Sequence, residues 1–172
     1  MQEPVHPVSV ETWLGETDVW LLAQGRHLRP WKKLGAHPCV LGGVVGTAFA
    51  VWAPHARQVS LVGDFNQWDA QAQPMCHRVE CGAWELFVPG VAEGALYKFC
   101  VLGADGQTVL KSDPYAFSIE AGAGHACRVV RLPEPMPRTP SQRASANALN
   151  APMSTYEVHV GSWRRPQGQL PD

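Results

Sequence analysis

The sequence predicts an all-β fold: an immunoglobulin-like β-sandwich with a short helical N-terminal segment and an extended C-terminal tail. Three observations carry this. First, about seven short strand-like runs recur from Val44 to Leu132, separated by clusters of Gly, Pro, Asp and Asn, the spacing of an antiparallel sandwich. Second, the runs alternate. Leu96–Leu102 sets Tyr97, Phe99 and Val101 on one face and Lys98 on the other, as the two-residue period of a strand requires. Third, Asp105-Gly106 stands between two such runs, the strongest short-range hairpin signal. The Cys-Trp-Cys signature of true immunoglobulin domains is not evident, so only the architecture is implied.

Taken in order, Val10, Trp13, Leu14, Val19, Trp20, Leu21 and Leu22 suggest one or two short helical segments. Ser9 is the predicted N-cap, with Thr12 rather than Glu three residues on, and Gly25 the predicted stop. Arg26–Lys33 is basic, short and interrupted by Pro30, which reads as a solvated connector. Leu34–Gly43 is turn-rich and leads into the first strand. Phe49–Trp52 and Val59–Val62 are strands rich in β-branched and aromatic residues. Between them, Ala53-Pro54-His55-Ala56 breaks the ladder, because Pro has no N–H to donate. Trp52 alternates with Ala48 and Ala50 and is assigned to the core. Gly63-Asp64-Phe65-Asn66 turns the chain again and leaves Trp68 on a polar connection with no obvious core to join. Trp84–Val88 alternates until Pro89-Gly90, Thr108–Leu110 returns from the hairpin, and Cys127–Leu132 is the last candidate strand. His55 and His77 read as turn and surface residues, and Asp113-Pro114 as a turn ending the sheet.

Composition limits the function classes. Hydrophobic residues make up 45% and charged residues 17% of the 172, an ordinary globular balance. The formal net charge is -1 and there is no long basic run, which argues against nucleic-acid or anionic-membrane partners. No apolar run reaches the ~20 residues of a membrane span, and Met1–Pro7 lacks the basic-then-apolar order of a signal peptide. The 5 cysteines are an odd, scattered set, which favours reduced thiols and a cytoplasmic setting over a disulfide framework. Cys76, His77 and Cys81 have no second close pair to complete a tetrahedral site, so neither metal nor cofactor is expected. The unusual feature is 7 tryptophans. A Trp left at a surface usually has something to cover.

The expected organisation is a helical and connector segment at 1–33, a β-sandwich at 34–132, a Pro-rich linker at 133–152 and a further element at 153–172. Alternating prolines in Pro133–Pro140 make a stiff spacer. Ser154–Val160 is a compact strand signal, followed by Gly161-Ser-Trp-Arg-Arg165. One strand cannot form a domain by itself.

Four stretches carry a family resemblance: Phe49–Trp68, Leu96–Phe99, Leu110–Phe117 and Tyr156–Arg165. Together they resemble the N-terminal part of bacterial 1,4-α-glucan (glycogen) branching enzymes. In those proteins a β-sandwich, carbohydrate-binding module family 48, precedes the first strand of a catalytic (β/α)8 barrel. Leu34-Gly-Ala-His37 resembles the entry to that module, and the resemblance covers about residues 18–166. Trp52-Ala-Pro54 with Asn66-Gln-Trp68 is shared with isoamylases, trehalohydrolases and glycogen-sensing kinase subunits. Lys111–Tyr115 combined with Gly161–Arg165 narrows the resemblance to branching enzymes.

The resemblance implies glycogen biosynthesis: transfer of an α-1,4-glucan segment to a 6-hydroxyl by a retaining glycosyltransferase. That chemistry needs two carboxyl groups roughly 5 Å apart, set on a barrel of roughly 250 residues. No residue here matches the family's nucleophile or acid/base. Glu157 reads as a structural strand residue. The chain by itself is therefore expected to bind or to position the rest of the barrel, without catalysing. The implied partners are α-1,4-glucan (glycogen, malto-oligosaccharides) and the remainder of the barrel.

A glucose ring has an apolar C–H face that stacks on an aromatic, and hydroxyls that need donors and acceptors at the rim. Trp68 and Lys98 match the binding pair of such modules. Asn66 is a candidate either to position the turn or to donate to a hydroxyl, and Trp84 is a second candidate platform, weighed against a place in the core. The sequence departs from the best sugar-binding members after the hairpin: Gln107-Thr-Val-Leu110 stands where they carry another Trp. The competing readings are a stand-alone glucan-binding or scaffold module and a protein-interaction sandwich without a sugar site.

Overall fold

The computed structural model describes residues 12–121 and 124–133, with residues 139, 141, 145, 148–151 and 157. The chain divides into two units, Met1–Leu132 and Pro133–Asp172. In the second, the Ala151 N–H donates to the Ala148 carbonyl across a short turn. Ser9, the rest of the strand expected over Ser154–Val160 and the motif Gly161–Arg165 lie outside the described residues; Glu157, read as a strand residue, is exposed and in no strand.

Among its described residues the first unit holds one α-helix, α1 (Glu16–Ala23), and eight strands: β1 (Gly35–Leu41), β2 (Val44–Trp52), β3 (Gln58–Gly63), β4 (Cys76–Arg78), β5 (Ala83–Pro89), β6 (Leu96–Leu102), β7 (Thr108–Lys111) and β8 (Cys127–Arg128). They form two antiparallel sheets, β1-β2-β5-β4 and β3-β6-β7, with β8 against β6. The architecture is an all-β sandwich. No helix among the described residues is long and apolar enough to cross a membrane.

Alternation decides which side chains fill the space between the sheets. Phe49 and Val51 of β2, Trp84 and Val88 of β5, Val59 and Leu61 of β3, and Tyr97 and Phe99 of β6 form one apolar cluster. Phe49, Tyr97 and Phe99 meet edge to face, with centroids 5.0 and 5.8 Å apart, the favoured geometry for aromatic pairs. Thr47, fully buried on β2, donates its hydroxyl to the Val91 carbonyl at 2.8 Å.

The outer face of the first sheet is also covered. Ala50 and Ala83 pack with Leu14, Val19, Leu34 and Cys81 in a second cluster. Small residues on that face let the N-terminal segment approach. A polar tie holds it there: buried Glu85 accepts the Leu14 N–H at 2.8 Å and the Arg78 guanidinium at 2.7 Å. Arg78 also donates to the Leu14 carbonyl at 3.1 Å. The pairing raises the Arg78 guanidinium above its ordinary range, against a smaller opposing effect of burial.

Three readings are corrected here, after one element whose predicted start lies outside the described residues. The helix begins at Glu16, where the Asp18 carboxylate accepts the Gly15 N–H at 3.3 Å; Gly25, at φ 63°, is its left-handed stop as expected. Gly35–Leu41, read as turn-rich, is a strand. Pro38 is tolerated because β1 is an edge. The basic connector is tied down rather than solvated throughout, since Lys33 pairs with Asp18 at 3.0 Å and lies 4.6 Å from the centre of the Trp13 ring. Trp52 is not core: it is 55% exposed. It shares a face with Ala48 and Ala50, but as the last residue of β2 it lies beyond the cover that buries them.

Candidate functional site

The turn after β3 is built to hold one indole outward. At Gly63 a methyl group would collide with the Leu96 carbonyl and the Phe65 ring, so only glycine lets β3 end against β6. Asp64–Asn66 forms a single 3-10 turn, fastened to β6 by the Asp64 carboxylate, which accepts the Leu96 N–H at 3.1 Å. Phe65 points inward, its ring 6.2 Å from Phe49. Gln67 and Trp68 both follow in the left-handed region, at φ 57° and 62°, which costs about 1–2 kcal/mol for each residue with a Cβ. The Trp68 N–H closes the turn on the Gly63 carbonyl at 2.8 Å. Its side chain stays 40% exposed and belongs to neither apolar cluster.

Asn66 is the lock. Its Oδ1 accepts the Gly63 N–H at 2.9 Å, while Nδ2 donates to the Leu61 carbonyl at 3.0 Å and to Gln73 Oε1 at 3.1 Å. Both ends of the amide are engaged, so of the two roles considered for Asn66 the geometry serves the turn. Gln73 had not been singled out from the sequence. Its carbonyl also accepts the Leu61 N–H at 2.9 Å, along the edge of β3.

Lys98 projects from the outer face of β6, directly across from Val62. Gly63 pairs with Tyr97, its neighbour, so the Trp68 turn and Lys98 share one end of the second sheet. The ammonium donates to the Gly124 carbonyl. A lysine has three donor positions, so that bond leaves others for a ligand.

Trp84 is placed differently. It is 5% exposed, its Nε1–H donates to the Ala53 carbonyl at 3.0 Å, and the His77 ring stacks on it at 4.2 Å. This is the core alternative, and it leaves no face for a sugar. His77, exposed on β4, serves as the cover.

Behind Lys98 the sheet is rigidified by a buried pair. The Tyr97 hydroxyl donates to the Asp113 carboxylate at 2.5 Å, which also accepts the Tyr115 N–H at 2.8 Å. Burial, then the Asp113 charge and hydrogen bond, pushes the Tyr97 phenol far above its ordinary range. Burial also raises the Asp113 carboxyl, against the lowering effect of its two hydrogen bonds. Asp113-Pro114 thus ends the sheet in the structural role expected. Among the described residues, no group of three His, Cys, Asp or Glu could hold a metal ion.

Residues 33–116 match the family model for carbohydrate-binding module 48 (isoamylase N-terminal domain). That segment spans Trp52, Asn66, Trp68, Trp84 and Lys98. Solved structures resemble the chain over 57% of its length: ligand-free PulA from Klebsiella pneumoniae (28% identity, TM-score 0.46, 9% of that chain), its complex with maltotriose (28%, 0.47, 11%), and pullulanase from Bacillus acidopullulyticus (29%, 0.47, 12%). The overlap is thus a small fraction of those chains.

Proposed function

We propose that residues 34–132 are an α-glucan-binding module, with Trp68 as the stacking platform and Lys98 as a rim donor. The observation that carries the reading is a half-exposed Trp68 held outward by a strained, amide-locked turn. A residue meant for the core needs no such device. The match of residues 33–116 to a carbohydrate-binding module supports the ligand class. The remaining assignments belong to the same proposal: helical and connector segment at 1–33, linker at 133–152, and the start of a barrel at 153–172.

The finer reading is a cytoplasmic glycogen branching enzyme, supported by Lys111–Tyr115 together with Gly161–Arg165. Binding is tested by electrophoresis through gels cast with glycogen. The chain should be retarded, and Trp68→Ala and Lys98→Ala should each be retarded less; equal retardation of all three contradicts the assignment. The branching part is tested on a full-length protein carrying this segment. A branching transferase lowers the iodine stain of amylose without releasing reducing ends, whereas a hydrolase of the pullulanase kind releases them.

A further inference from the structure

Among the described tryptophans, Trp52 is the most exposed of those that the two apolar clusters leave out and that a side-chain hydrogen bond fixes. Its Nε1–H donates to the Cys81 carbonyl at 2.9 Å, yet the indole is 55% exposed. One edge of the ring is pinned and much of the rest is open. It also separates two clefts. One, of about 420 Å³, is lined by Leu22, Leu34, Trp52, Pro114 and Tyr115 among others. The other, of about 320 Å³, is lined by Val51, Trp52, Val101, Lys111 and Pro114 among others. Both volumes fall in the range of small-ligand sites, about 300–1,000 Å³. Trp52 and Pro114 line both, so the two clefts form one groove on either side of the indole.

The groove has polar groups at each end. Neither the Tyr115 hydroxyl nor the Lys111 ammonium has a hydrogen-bond or ion-pair partner among the described residues, so each retains its donor capacity. Pro114 between them is held in place by its neighbour Asp113, which the Tyr97 hydroxyl and Tyr115 N–H clamp. A rigid, apolar platform with a hydroxyl on one side and an ammonium on the other suits a ring with an apolar face and a polar perimeter. The groove offers no fixed carboxylate for a cation, and one ammonium is too little for a polyanion.

We propose that this groove is a second sugar subsite, in which Trp52 stacks on a glucose ring of a malto-oligosaccharide while Tyr115 and Lys111 bind its hydroxyls. It shares its ligand class with the Trp68 reading but rests on different residues on the other side of β2.

The test is a titration of the whole chain with maltoheptaose, followed through the indole N–H signals in ¹⁵N-correlated spectra, beside Trp52→Ala, Trp52→Phe and Trp68→Ala. The proposal expects the Trp52 signal to shift saturably in the wild type and still to do so in Trp68→Ala. Trp52→Ala and Trp52→Phe assign the Trp52 signal by its loss; followed instead through the backbone amide of Tyr115, which lines the same groove, this component should weaken about tenfold in Trp52→Ala and by less in Trp52→Phe, which keeps an aromatic face. Saturation confined to the Trp68 signal, or a Trp52 signal that stops responding in Trp68→Ala, overturns the second subsite and leaves the Trp68 reading standing. A response at Trp52 alone supports the second subsite while removing the first.

Discussion

Replacing Asn66 by Ala should uncouple sugar binding from folding. Two successive left-handed residues, Gln67 and Trp68, store about 2–4 kcal/mol, at about 1–2 kcal/mol each. Against this stand the three Asn66 side-chain bonds, to the Gly63 N–H, the Leu61 carbonyl and Gln73, at about 1 kcal/mol apiece. The two sums nearly balance, so the turn depends on the amide. Without it the turn should open while the sandwich, whose apolar cluster includes neither Asn66 nor Trp68, stays folded. Losing about 3 kcal/mol from a turn near balance leaves on the order of a hundredth of the molecules with Trp68 in place, and apparent affinity falls roughly a hundredfold. Calorimetric titration with maltoheptaose reads the affinity, and urea unfolding should show a stability loss of only about 1–2 kcal/mol. Adding Gln67→Gly, which relieves one left-handed residue, should recover part of the affinity. Wild-type affinity in Asn66→Ala would refute the reasoning, as would a rescue that fails.

Two further outcomes follow from the packing. Glu85→Ala strands the Arg78 guanidinium and the Leu14 N–H, and should cost about 3 kcal/mol in urea unfolding. Glu85→Gln, which keeps an acceptor, should cost less. His37 lies between Trp13, stacked at 5.3 Å, and the edge of Phe117. Burial lowers its pKa below 6.5; the Leu34 carbonyl opposes this and the Lys33 charge adds to it. The unfolded chain therefore takes up this proton first on acidification. Stability should be level above the ordinary value of 6.5 and decline as the pH falls through it toward the lowered value. His37→Gln should flatten that part of a Tm-against-pH profile; an unchanged slope would contradict the assignment.

How far the sequence revealed these features depends on whether a residue's fate was decided locally. Leu96–Leu102 and Asp105-Gly106 were legible because alternation and turn chemistry are properties of neighbours in the chain. β1 was not, because Pro38 and the flanking glycines signal a turn until the strand is known to be an edge. Trp52 and Trp84 show the limit most clearly. Each sits in an alternating run, but Val51 and Trp84 face the second sheet, while Trp52 faces a surface that the N-terminal segment covers only as far as Ala50. That asymmetry is tertiary. Trp68 could be placed on a turn from Gly63-Asp64-Phe65-Asn66, yet nothing in Gln67-Trp68 signals a left-handed pair, since neither residue favours that region. The Asn66 lock that makes it affordable depends on Gln73, seven residues on.

The central claim is that Trp68 is a glucan platform. Its most direct measurement is tryptophan fluorescence during titration with maltoheptaose, for the wild type and Trp68→Ala. The account predicts a saturable change in the wild type whose Trp68 component disappears in the variant. Identical titration curves for the two proteins, or no response up to millimolar sugar, would contradict it.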